Sequence, residues 1–292
     1  MPAPARAAQT PCMCSSTVWG LTGATLTEAT DVLAHGARRI GLHVMSTNGG
    51  SGNPLDGLDE PGADSGTARL ARGTLALGLA RDAEIAVMAP YVQLTPEDRG
   101  GTGGRGDLGL SLKQRVWNAG PQRPAVAVSA SYVAATAARD RSVNTVTHDA
   151  YRFAVALQST RALRSPWAEA VTVTGNLGAL LKDQLRVERD EILLYAVGAH
   201  VLLPKEMGGL FDRDTGLFGR GADGRYAVTL EAAGTYFRGD RAPTYDDSIT
   251  LIAGVRYTAA RWGIAVSAHS VTYSRQSKHH AAGGGILGAV AF

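Results

Sequence analysis

Residues 106–117 read GDLGLSLKQRVW. Leu108, Leu110, Leu112 and Val116 share one parity, broken only by Gln114, while Gly109, Ser111, Lys113 and Arg115 share the other. A period of two marks a β-strand with one apolar and one polar face. Two arrangements satisfy it. The leucines face a core and the cations face bulk water, or the leucines face outward and the cations look into an enclosed interior. One strand cannot choose between them, and the remaining sequence must.

Eleven further segments of roughly ten residues alternate in the same way: 37–45, 72–80, 84–92, 124–133, 149–158, 169–181, 191–203, 226–237, 248–257, 263–273 and 283–292. In the first, Ile40, Leu42 and Val44 oppose Gly41, His43 and Met45; in the 149–158 segment, Tyr151, Phe153, Val155 and Leu157 oppose Arg152, Ala154, Ala156 and Gln158. The 191–203 segment departs from the pattern, being apolar on both parities, with His200 on the face of Gly198 and Ala196. Helical periodicity is nearly absent. The exception is LTEATDVLAHG (26–36), which predicts a short helix capped by Thr27, with Glu28 in its first turn and Gly36 as its stop.

The second parity decides which face is outside. Its residues are mostly Gly, Ala, Ser and Thr, with sparse charges at Arg115, Arg152, Glu231 and Arg256. A soluble β-sandwich carries a denser set of Lys, Glu and Arg on its wet faces. Small residues with an occasional charge suit the crowded interior of a closed barrel. On the apolar parity, Tyr91, Tyr132, Tyr151, Tyr195, Tyr236 and Tyr257 stand near strand ends, the banding of a lipid-facing surface. The predicted fold class is therefore all-β: a closed antiparallel transmembrane β-barrel of about 12 strands over residues 36–292. Residues 1–35 form an N-terminal segment, read as residual signal, as a periplasmic stretch or as a plug of the lumen.

The connections support this reading. The polar stretch 47–66 is long, and Arg81-Asp82-Ala83 is a tight reversal; long and short then alternate, as external loops and periplasmic turns do. The stretch 204–225 breaks the alternation, since it follows the eighth segment, where a short turn is due. Either it is a periplasmic excursion or the strand count is off by two at that point. The chain ends on Phe292, on the parity of Val290, Gly288 and Ile286, which reads as the assembly signal of bacterial outer-membrane proteins and implies the barrel-assembly machinery as a partner.

Composition narrows the functional classes. The 292 residues are 45% hydrophobic and 19% charged, neither disordered nor helical-membrane in character. No window offers the roughly 18 apolar residues of a transmembrane helix, which has no bearing on a barrel. A net charge of +3 is too small to suggest a nucleic-acid partner. Ala5-Arg6-Ala7 before Ala8 has the small-x-small form of a signal cleavage site, read as a processed signal peptide, with a disordered start as the alternative. Cys12 and Cys14 exclude a disulfide framework by number; an open redox pair, no role, or a two-thiol Cu(I) site are the readings left. The Gly-rich run 100–107 lacks the Gly-Lys-Ser/Thr ending of a phosphate loop and precedes a strand. His148, His279 and His280 lack a carboxylate or Cys at ligand spacing, so no metal and no cofactor is expected.

GDLGLSLKQRVW resembles the Gly-Asp-x-x-Leu-x-x-Lys-x-Arg strand of the outer-membrane proteins grouped as the MetA-pathway phenol-degradation transporter family. The run 20–44, GLTGATLTEATDVLAHGARRIGLHV, is similar to their entry segment, with Ala34-His35-Gly36 where members often have Pro-Lys-Gly. The resemblance implies an outer-membrane barrel in a Gram-negative cell, concerned with the passage of small, often aromatic or hydrophobic, compounds.

The expected lumen-facing set is Lys113, Arg115, Arg152, Glu231, Arg256, His200 and His269. Its cations form either a ring that favours anions or a salt-bridge network filling a narrow bore. The expected function is a passive, porin-like channel and transporter for small solutes, not an enzyme, with outer-membrane lipid around it. The alternatives are a hydrolase using Asp246, Asp247 and His269 at the external rim, for which no Gly-x-Ser-x-Gly nucleophile motif is present, and a structural barrel with a sealed lumen.

Overall fold

The computed structural model describes residues 17, 19, 21, 23–48, 66–96, 102–118, 120, 123–134, 136, 149–163, 165–183, 189–204, 224–238, 248–259, 261–273 and 280–292. Among them the chain forms thirteen strands and no helix: β1 (Arg38–Asn48), β2 (Gly66–Ala80), β3 (Ala83–Pro96), β4 (Thr102–Arg105), β5 (Leu108–Asn118), β6 (Ala125–Ala134), β7 (Asp149–Ala162), β8 (Ala170–Asp183), β9 (Arg189–Leu202), β10 (Arg225–Arg238), β11 (Ser248–Thr258), β12 (Trp262–Tyr273) and β13 (His280–Ala291). Every pairing is antiparallel between strands adjacent in sequence, save that β5 bypasses β4 to pair with β3 and that β1 pairs with β13. The last pairing closes the ring. Arg39 stands opposite Ala291 and Asn48 opposite Ala282, and the seam continues where Phe292 and Arg38 exchange backbone hydrogen bonds of 2.9 and 3.1 Å. Twelve strands make the barrel. The thirteenth, β4, is a short ribbon added to Tyr91–Leu94 of β3.

Closure leaves the twelve barrel strands no free edge among the described residues, so their backbone is satisfied by pairing and the side chains divide into an inside and an outside. Along β1 the division is regular: Arg39, Gly41, His43, Met45 and Thr47 are buried, while Ile40, Leu42 and Val44 are exposed. Leu108, Leu110 and Leu112 of β5 are exposed and Gly109, Ser111 and Lys113 buried. The outer face thus carries Val87, Val155, Leu177, Val197, Leu230, Leu251 and Val266 in the open. An apolar band running round a closed barrel is a surface for hydrocarbon, not for water.

Tyr91, Tyr132, Tyr151, Tyr195 and Tyr236 stand outward toward the loop end of their strands. A second set, Trp117, Trp167, Tyr226, Trp262 and Phe292, belongs to the end that carries the short turns. The two sets flank the apolar band as aromatic girdles do. Tyr257, expected in the open with the other tyrosines, is buried. It faces Tyr226 in the pairing register, and the rings of Tyr226 and Trp262 cover it at centroid distances of 4.8 and 5.1 Å. It lies near its strand end, as expected, within the short-turn girdle.

Three further expectations are corrected or settled. The strand count needs no adjustment near 204–225, because β9 and β10 pair directly, Leu202 with Ala227 through Glu191 with Arg238. The connection joins two neighbours at the short-turn end, and its residues 205–223 lie outside the described ones. The expected helix at 26–36 does not form. Its backbone N–H groups bind side chains of the barrel wall in place of carbonyls four residues back, and Thr25, Thr27, Thr30 and Val32 are β-branched residues that favour this extended course. Gly36 still marks a boundary: at φ +76° it turns the segment into β1, a conformation that L side chains rarely adopt.

Candidate functional site

The inner parity is too small to fill twelve strands. Ala127, Ser129, Ala154, Ala156, Thr174, Gly198, Thr229, Ala265 and Ala289 leave room that their own side chains cannot close. The described residues between Thr17 and Leu33 occupy that room. Leu21 and Leu33 are wholly buried, and Thr27, Glu28 and Thr30 nearly so.

Wall side chains hold this segment mainly by its backbone. The carboxylate of Glu231 on β10 accepts N–H groups from Thr25, Leu26 and Thr27 at 2.9, 2.7 and 2.8 Å, and the Thr27 hydroxyl at 3.2 Å. Asn176 on β8 accepts the Glu28 N–H at 2.8 Å and donates to the Glu28 carbonyl at 3.0 Å. Gln158 on β7 accepts the Thr30 N–H at 3.0 Å and donates to Asp31 at 3.2 Å. Glu84 on β3 accepts the Leu33 N–H at 2.9 Å. Lys113 on β5 donates to the Ala29 carbonyl at 3.2 Å, and Arg256 on β11 reaches the Gly23 carbonyl at 3.4 Å.

Two ion pairs are buried in the same seat. Lys113 Nζ lies 2.9 Å from Glu84 Oε1, with both side chains wholly buried. Arg152 donates to Glu28 at 2.5 Å; the Ser129 hydroxyl donates to the same carboxylate at 2.7 Å, and Trp19 lies 4.7 Å from the Arg152 guanidinium. Taking such charges out of water costs several kcal/mol per ion, which only close pairing and full hydrogen bonding offset. Apolar packing adds to the hold. Trp19 and Leu26 join Met45, Met88, Val133, Leu180, Ile192 and Ile252 of the wall in one cluster, and Leu21 and Leu33 pack with Ala76 and Ala86 in another.

The sequence-predicted lumen set falls as follows. Lys113, Arg152, Glu231 and Arg256 are buried on the inner face, four of them touching the N-terminal segment. Arg115 is half-buried, bonded to Asp82 and 4.0 Å from Asp31. His200 is half-buried on the inner face of β9, opposite Thr172 and Thr229. His269 is buried on β12, its Nε2 2.8 Å from the Thr47 hydroxyl. Phe292 is exposed at the seam. Asp246, Asp247, Cys12, Cys14, His148 and His279 lie outside the described residues, as does the side chain of His280.

Sequence reasoning missed Glu28, Glu84, Asn176, Gln158 and Trp19, and it missed His43 and Arg72. A pairing row runs Arg256, Ala265, Leu287, His43, Arg72 across β11, β12, β13, β1 and β2, so that Arg72 is the immediate neighbour of His43 on the inner wall and Arg256 stands in the same row three strands away. Parity already set His43 opposite the apolar face of β1, though not as a site residue, and the same argument applied to β2 would have found Arg72. The apolar inner face of β9 also finds its reason here: Ile192 and Leu194 belong to the cluster around Trp19 and Leu26.

No family model matches the sequence, and no curated protein does. Solved structures do match. The chain is similar to the COG4313 outer membrane channel from Pseudomonas putida F1, with a TM-score of 0.54 and 13% identity over 90% of this chain and 98% of that one. It is also similar to LpxR from Salmonella typhimurium, with a TM-score of 0.50 and 11% identity over 86% and 99%. At these identities the likeness is one of fold, and the fold is that of outer-membrane β-barrels.

Proposed function

We propose that the protein is an outer-membrane channel that lets small solutes pass passively when its N-terminal segment leaves the lumen. The carrying observation is the manner in which the bore is filled. A barrel built only as a structural wall can close its interior with its own large side chains. This wall presents mostly Gly, Ala, Ser and Thr between a few large side chains such as Arg39, Arg72 and Lys113, and the remaining space is taken by a separate stretch of chain held through hydrogen bonds, the Arg152–Glu28 ion pair and apolar packing. The apolar outer band and its aromatic girdles favour a bilayer around the barrel. The channel of the same fold and the resemblance to the phenol-degradation transporter group support passage of small compounds, aromatic or hydrophobic ones among them.

Planar-bilayer recording tests this reading. The intact chain should give rare, brief openings, and a variant lacking residues 1–35 should give steady conductance steps. A truncated barrel that folds, as shown by heat-modifiable migration on gels, yet passes no current would refute it.

A further inference from the structure

The hold on Glu231 has an unusual form. Its carboxylate is buried, and among the described residues no cation lies within 4.0 Å of it. Three consecutive backbone N–H groups and one hydroxyl stabilise it, all from a turn closed by the Ala24 N–H to the Thr27 carbonyl at 2.8 Å. Successive N–H groups converging on one point make an anion receptor. Here the receptor belongs to the movable segment and the anion to the wall. Beside the same turn sits the Arg256 guanidinium. Among the described residues its one hydrogen bond to the segment is the long one to Gly23, and its Nε is buried with no partner.

We propose that the Ala24–Thr27 turn and the Arg256 guanidinium form a carboxylate-binding site, occupied at rest by Glu231 and taken over by the carboxylate of an incoming solute. A free carboxylate meets the same three N–H groups and is not fixed to β10. It can approach Arg256 and add the charge pair that Glu231 does not make, and charge-assisted bonds of this kind are the stronger ones. Once Glu231 is displaced, the segment loses its link to β10, and the balance between seated and released segment shifts toward release. The ligand class is a small carboxylate. The two Glu231 oxygens share four donors, one taking a single N–H and the other two N–H groups and the hydroxyl, so the turn is already fitted to the two oxygens of a carboxylate. The proposal rests on the channel reading, and the test separates the two.

Trp19 reports on the segment directly. It is buried in the lumen against Arg152, whereas Trp117, Trp167 and Trp262 lie in the short-turn girdle. The full-length protein in lipid bilayers is titrated with acetate, inorganic phosphate or chloride at constant ionic strength. Acrylamide quenching and single-channel current are read in parallel, and Trp19→Phe identifies the Trp19 signal. Acetate should raise quenching of Trp19 at least three-fold and saturably, with open probability following, while chloride does neither. Arg256→Gln should raise the acetate concentration needed about ten-fold, and Glu231→Gln should show the quenched, open state without acetate. Acetate no more effective than chloride on a conducting protein would overturn the site and leave the channel standing. Phosphate equal to acetate would overturn the assignment to carboxylates. A saturable Trp19 response with no current in any state would support the site and refute the channel.

Discussion

Replacing Glu28 by Ala should open the barrel. Glu28 lies on the N-terminal segment, and its carboxylate receives Arg152 at 2.5 Å and the Ser129 hydroxyl at 2.7 Å. Without it, among the described residues, Arg152 keeps only a 3.5 Å contact to Ser129 and the face of Trp19, and its Nε already has no hydrogen-bond partner. Removing one member of a buried ion pair costs about 3–5 kcal/mol, because the other charge stays buried. That cost falls on the seated state alone, since Arg152 is solvated once the segment has left. At about 1.4 kcal/mol per tenfold, the ratio of seated to released segment should drop roughly a hundred- to four-thousand-fold. Open probability in planar bilayers measures this ratio. The decisive comparison is the double variant Glu28→Ala with Arg152→Met. Replacing both partners by apolar groups is often close to neutral, so the double variant should return most of the way toward the closed wild type. A double variant as open as the single one would refute the claim that this pair clamps the segment.

Gly198→Ala should also loosen the seat, because a Cβ there would lie 2.7 Å from the Thr27 hydroxyl and 3.0 Å from its methyl; Gly175→Ala, on the outer face of neighbouring β8 with nothing within 4 Å, should be silent in the same recordings. Val155→Arg, in the middle of β7 on the outer face, should cost about 2–4 kcal/mol in lipid-coupled unfolding, and Trp167→Arg at the short-turn end about 0–1 kcal/mol. Deleting Phe292 removes both backbone bonds to Arg38 at the seam and should lower the amount of barrel assembled in cells, read as heat-modifiable protein in the membrane fraction.

Architecture was legible because alternation is local. Whether Leu110 or Ser111 faces outward follows from parity and from the sizes of the residues on each face, and closure then fixes the rest. The lumen was less legible, because its chemistry joins residues far apart in sequence. Arg152, Glu231 and Lys113 were read as inward-facing and are buried in the structure, but parity says nothing of what such a charge meets. Their partners, Glu28 and the backbone of residues 25–29, lie in a stretch whose local signals spelled a helix. Glu28 placed after Thr27 looks like a first-turn residue, and only a wall that supplies acceptors of its own makes the extended course better. Tyr257 shows the same limit on the outer surface. It has the correct parity, and its burial depends on two rings contributed by other strands.

The seat also constrains how the molecule is put together. The groups that hold Thr25 and Thr27 lie 206 and 204 positions further along the chain, and those for Glu28 and Thr30 lie 148 and 128 further. None of them exists as a surface until most of the hairpins have paired, and contacts of such separation form late. The stretch that needs them leads directly into β1, the strand that must zip onto β13 to complete the cylinder. Threading and sealing therefore meet at one point of the chain. The tail is tucked in as the seam shuts or, in the finished cylinder, through an end, the route by which a released segment returns.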